Sequence, residues 1–159
     1  MDRRFSGCEI IELGVQIEKN GKAFYSALAK LADNSSAAAI FEYLANAEEK
    51  HIRVFREIFT SSCDYEPDGA FPDDYFAYMR SMASQYVFTQ ENKGEEIAKT
   101  AKSYDEGIDL GIQFEKESIL FYEGMKKMLS EKDGKLVDEV IIEEKKHMRQ
   151  LCDLKGGTV

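Results

Sequence analysis

One pattern occurs twice in this chain, and it constrains the fold more than any other feature. Gly14-Val15-Gln16-Ile17-Glu18-Lys19 is matched by Gly111-Ile112-Gln113-Phe114-Glu115-Lys116, and Phe24-Tyr25 by Phe121-Tyr122 in the same register. Further on, Glu48-Glu49-Lys50-His51 is matched by Glu144-Lys145-Lys146-His147. Duplication of a two-segment unit accounts for all three matches and predicts a structure with pseudo-twofold symmetry.

Each matched segment reads as a long helix. Ile11, Gly14, Glu18, Gly21, Tyr25 and Leu28 follow steps of three and four, as do Ile108, Gly111, Glu115, Ser118, Tyr122 and Met125; such steps line one face of an α-helix. Phe41, Leu44, Glu48, His51 and Phe55 form a third line, and Val137, Val140, Glu144, His147 and Leu151 a fourth. Ile10, Ile17, Phe24 and Leu31 add a seven-residue repeat to the first segment. The first helix opens at Ser6, with Glu9 three residues on, and runs to about Ala32. Asp33-Asn34-Ser35-Ser36 makes a short turn and caps a second helix that ends near Phe59. A third opens at Ser103 with Glu106 in capping position and ends near Leu129. A fourth follows the turn signal Asp133-Gly134, runs from about Lys135 to Leu154, and stops at Gly156-Gly157.

Short turns within each half imply antiparallel hairpins, 6–60 and 103–155. The segment 61–102 between them is long enough to return the chain along a bundle. The expected fold is all-α: an antiparallel four-helix bundle, ferritin-like, with one long crossover between the second and third helices. We expect one domain over 1–159. The only two prolines, Pro67 and Pro72, fall in the crossover. Phe71, Tyr75, Phe76, Tyr78, Tyr86 and Phe88 make it too aromatic for a flexible tether, and Asp73 to Ala83 has the makings of a short helix.

Four core lines therefore each carry a glutamate, and two also carry a histidine. Burying unpaired carboxylates costs several kcal/mol apiece, and four facing one interior repel one another. Two divalent cations would cancel their charge. Glu-x-x-His puts an oxygen and a nitrogen ligand on the same face of a helix. Two such motifs plus one Glu from each of two other helices form the ligand set of dinuclear carboxylate bundles. The candidate metal ligands are Glu18, Glu48, His51, Glu115, Glu144 and His147. Carboxylate-rich sites with one imidazole per metal suit iron or manganese, while zinc can substitute in vitro on affinity grounds. Glu49, Glu117 and Glu143 lie off the core lines and read as non-ligands, and Glu42, Glu57 and Glu131 as solvated. Tyr25 and Tyr122, two turns beyond the terminal carboxylates, read either as hydrogen-bonding partners of ligands or as bundle filler.

The residues quoted resemble the rubrerythrin branch of the ferritin-like superfamily, over both hairpins. The resemblance implies two iron ions per chain, bridged by Glu48 and Glu144, with Glu18 and His51 completing one and Glu115 and His147 the other. It implies an oxidoreductase that reduces hydrogen peroxide to water in oxidative-stress defence, or that reacts with oxygen. Typical rubrerythrins append a rubredoxin domain. This chain lacks its cysteine pairs, so the implied electron donor is a separate protein such as a rubredoxin. They also carry a glutamate three residues after the third-helix ligand, where this chain has Ser118, which puts a redox-linked exchange of ligands in doubt. The alternatives are an iron-binding protein with ferroxidase activity and, in another class, a non-catalytic helical interaction protein.

The formal charge of −9, from 21 Lys and Arg against 30 Asp and Glu, argues against nucleic acid or an anionic membrane as partner. No stretch approaches the length of a membrane span. Cys8, Cys63 and Cys152 are far apart in sequence and read as passive thiols in a reducing compartment; with no apolar leader at the N-terminus, a cytoplasmic location is expected. A homodimer is expected from the family and from the aromatic crossover.

Overall fold

A computed structural model describes residues 7–63, 65 and 73–156. Four long helices, α1 (Gly7–Leu31), α2 (Ser35–Ser62), α5 (Tyr104–Lys126) and α6 (Glu131–Gly156), form two antiparallel hairpins. Between the hairpins run α3 (Asp73–Gln85), a 3-10 turn at Val87–Thr89 and the short α4 (Gly94–Ala98). The fold is all-α and ferritin-like, with one crossover between α2 and α5. Ser6, Pro67, Phe71, Pro72 and Gly157, to which the sequence reading assigned roles, lie outside the described residues.

Side-chain capping sets three helix starts. Asn34 Oδ1 accepts from Ala37 N–H at 2.8 Å to open α2, and Ser103 Oγ accepts from Glu106 N–H at 3.2 Å to open α5. The fourth helix begins earlier than the expected Lys135. Ser130 Oγ accepts from Asp133 N–H, and the Ser130 carbonyl from Gly134 N–H at 2.8 Å. Asp133-Gly134 is thus the first turn of α6 rather than the connection before it, because the cap three residues upstream satisfies the orphan N–H groups.

The four predicted core lines are buried along their length. Leu31 departs from its line and is exposed, since α1 ends there. Gly21 shows why a small residue flanks Glu18: a Cβ there would lie 2.5 Å from the Phe114 ring and 3.3 Å from the Glu48 carboxyl carbon.

The crossover packs on its own bundle. α3 lies on α5, while the 3-10 turn and α4 lie on α1. Met79, Tyr86 and Phe88 are buried there, so much of the aromatic content that suggested a dimer surface is spent inside one chain. Asn20 of α1 clamps the segment. Its Nδ2 donates to the Phe88 and Gln90 carbonyls at 2.7 and 2.6 Å, and its Oδ1 accepts from Lys93 and Gly94 N–H, both at 3.0 Å. Gly94 sits so close to α1 that a Cβ would fall 2.0 Å from the Asn20 carbonyl oxygen.

One cysteine expectation is overturned. Cys8 and Cys63 are not passive thiols but form a disulfide, with Cα atoms 4.5 Å apart. The antiparallel hairpin brings the start of α1 beside the end of α2, which sequence separation hides. The isolated-thiol argument for a reducing compartment falls with it. Cys152 is free and exposed. No helix among the described residues is long and apolar enough to cross a membrane.

Candidate metal centre

The structure brings all six predicted residues to the bundle centre. Glu18 of α1, Glu48 and His51 of α2, Glu115 of α5, and Glu144 and His147 of α6 are each at most 2% exposed. They form two overlapping groups. Ligand atoms of Glu18, Glu48, His51 and Glu144 lie within 4.8 Å of one another, and so do those of Glu48, Glu115, Glu144 and His147. Glu48 and Glu144 belong to both groups, as a bridging pair would.

Hydrogen bonding inside the cluster is incomplete in a telling way. Among the described residues, the buried side-chain atoms without a hydrogen-bond partner are Glu18 Oε2, both Glu48 oxygens, His51 Nδ1, Glu115 Oε2 and Glu144 Oε1. Every one belongs to this cluster. Buried polar atoms are almost always paired, so orphans gathered at one point are what a cation-binding cluster would leave. His51 Nδ1 lies 3.0 Å from Glu144 Oε1, yet the pair is not aligned for a hydrogen bond. This donor set of carboxylate oxygens and imidazole nitrogens fits a pair of divalent ions.

The electrostatics agree. Burial, then the negative charge of Glu144, pushes the Glu48 and Glu115 carboxyls well above the usual range. Burial opposes charge on His51, but the surrounding acids, Glu144 foremost, outweigh it and push its pKa up. Burial likewise raises Glu144, but His51 and His147 outweigh it and hold that carboxyl below the usual range. The raised Glu48, Glu115 and His51 all favour protons inside the cluster, which offset part of its negative charge.

Partners outside the cluster orient its members. The Tyr25 hydroxyl of α1 donates to Glu115 Oε1, and the Tyr122 hydroxyl of α5 donates to Glu18 Oε1. The two halves thus hold each other's terminal carboxylate. Burial, then the nearby acids, keeps both phenols protonated. Each tyrosine thus contacts a candidate ligand of the opposite half. Ser118, three residues beyond Glu115 on α5, is held by the Tyr86 hydroxyl at 2.9 Å.

Three residues here escaped the sequence reading. Tyr86 comes from the crossover, whose register carries no helical signal. Asn20 lies off the inner line of α1 and is buried only because the crossover covers it. Glu143, read from the sequence only as a non-ligand off the core line, is half exposed, and its Oε2 lies 2.9 Å from His51 Nε2. Glu49 instead pairs with Lys22 at 2.7 Å on the surface. Beside His147, a cleft of about 150 Å³ opens between α2 and α6, lined also by Tyr43, Asn46, Ala47, Lys50, Glu143 and Lys146.

A four-helix bundle with two Glu-x-x-His motifs and two facing glutamates at its centre is a ferritin-like carboxylate bundle. Residues 9–155 match the rubrerythrin family, and the chain belongs to it. A solved structure from Thermotoga maritima, described as a ferritin-like diiron-carboxylate protein, aligns with a TM-score of 0.71. That alignment spans 99% of each chain at 23% identity, so the likeness is one of fold. Among curated proteins, none matches.

Proposed function

We propose that this chain is a di-iron oxidoreductase that reduces hydrogen peroxide, with electrons from a separate donor protein such as a rubredoxin. The observation that supports it most is the set of orphaned donor atoms converging from four helices. Glu18 and His51 would hold one iron, Glu115 and His147 the other, with Glu48 and Glu144 between them. A pair of ferrous ions would supply the two electrons that, with two protons, turn one peroxide into two waters.

The chain's own residues prepare that chemistry. Tyr25 and Tyr122 fix one oxygen of Glu115 and Glu18, leaving the other oxygen of each free to bind metal. Burial and the charge of Glu144 raise the Glu48 and Glu115 carboxyls, so metal loading would displace protons from them. Ser118 is engaged by Tyr86 and offers no carboxylate, which supports a ligand set that stays the same in both redox states.

Anaerobic titration with ferrous ion should reach two ions per chain, and Glu18→Ala or Glu115→Ala should reduce this to one or none. A wild-type chain that takes up no ferrous iron would sink the proposal. Stopped-flow mixing of the ferrous protein should show faster oxidation by peroxide than by oxygen. The reverse order, with continued turnover of added ferrous iron, would reassign the chain to ferroxidase activity.

A further inference from the structure

The duplicated halves are not equivalent behind their histidines. His51 is gripped from both sides: its Nδ1 faces the cluster, 3.0 Å from Glu144 and 3.5 Å from Glu18, while its Nε2 meets Glu143 at 2.9 Å. With Nε2–H donating to that carboxylate, the Nδ1 lone pair is left pointing inward. His147 lacks such a grip. Among the described residues, every carboxylate within 4.0 Å of it approaches Nδ1. The repeat explains the difference: Glu144 corresponds to Glu48, so the counterpart of Glu143 is Ala47. Behind His147 are the edge-on ring of Tyr43, with centroids 6.2 Å apart, and the open cleft that Ala47 helps to line.

We infer that Glu143 is a positioning residue that splits the two metal positions into a tight one, on Glu18 and His51, and an exchangeable one, on Glu115 and His147 beside the cleft. An anchored imidazole loses less freedom on binding metal and is held in the competent tautomer. Loss of such a partner typically weakens metal affinity about 10–100-fold. This inference rests on the di-metal reading above and adds an order of filling to it.

The test is anaerobic titration with cobalt(II), followed by calorimetry and by ligand-field absorption. The wild type should bind two ions in separable steps. Glu143→Ala should weaken the first step by about 10–100-fold and leave the second nearly unchanged, merging the two. Glu143→Gln, which keeps an acceptor for Nε2–H, should retain most of the separation. Ala47→Glu, placing the missing carboxylate behind His147, should strengthen the second step. His147→Ala should preserve the tight step and His51→Ala should abolish it. Two equal steps in the wild type, or an unchanged tight step in Glu143→Ala, would overturn the inference while leaving the metal centre standing. Failure of the wild type to bind cobalt would remove the metal centre itself.

Discussion

The tyrosines show how much one hydroxyl carries in this site. Tyr122 holds Glu18, and Tyr25 holds Glu115, each fully buried. Removing a hydroxyl orphans a carboxylate oxygen with no water to replace it, a loss of about 1–3 kcal/mol. Tyr122→Phe should therefore lower stability in chemical denaturation by that amount and weaken metal binding at the Glu18 position more than at the other. Equal weakening of both would contradict the pairing. Asn20 is equally exacting. Its two donors face carbonyls and its oxygen faces two N–H groups. Asn20→Asp would set an oxygen against the Phe88 and Gln90 carbonyls. It should cost as much as Asn20→Ala, roughly 3 kcal/mol by thermal or urea unfolding, despite its similar shape.

Among the elements, the α1–α2 hairpin is closed at both ends. Asn34 caps α2 beside the turn, and the Cys8–Cys63 disulfide joins the far ends. The bond spans a sequence separation of 55 residues. Loop-closure entropy for a span of that order gives about 4 kcal/mol of stabilisation. Reduction, or a Cys8→Ser/Cys63→Ser pair, should lower the unfolding free energy by about 2–4 kcal/mol, with the metal cluster intact, because the bond lies at the end of the bundle and the cluster at its centre. An unchanged denaturation midpoint on reduction would show that the bond contributes nothing. The α5–α6 hairpin has no such bond among the described residues. It relies on Ser130 and on the buried Asp133, which accepts from Ser61 and Ser62 of α2.

For the whole molecule, the buried carboxylate–histidine cluster couples stability to pH. Glu48 and Glu115 titrate above the ordinary 4.5, so the stability they contribute is present below that value and lost as pH rises through their raised pKa. His51 is also raised, so its contribution is present below 6.5 and lost on the alkaline side. Glu144 has the opposite sign: held low, it contributes above 4.5 and loses that contribution only as pH falls through its depressed pKa. The metal-free chain should thus weaken as pH rises, while bound metal replaces the departing protons. The rise in Tm on adding ferrous or cobalt ion should be larger near about pH 8 than near about pH 5.5, and binding should release protons measurable by calorimetry in different buffers. A metal-induced shift independent of pH would contradict this linkage.

The four core lines and their six ligand candidates were legible in the chain because helical spacing alone aligns Glu18 with Tyr25 and Glu48 with His51. The repeat then related one half to the other. Periodicity also fixes which residue faces inward, so all four lines are buried as read. It does not say which helices become neighbours or at what height. Only once α6 lies beside α2 does Glu143 reach His51, and only matched hairpin lengths bring Cys8 to Cys63. Asn20 and Tyr86 take their roles from the path of an irregular crossover, which no period encodes. Local steps of three and four thus determined the carboxylate–histidine cluster, whereas contacts between elements decided what surrounds it and makes its two halves unequal.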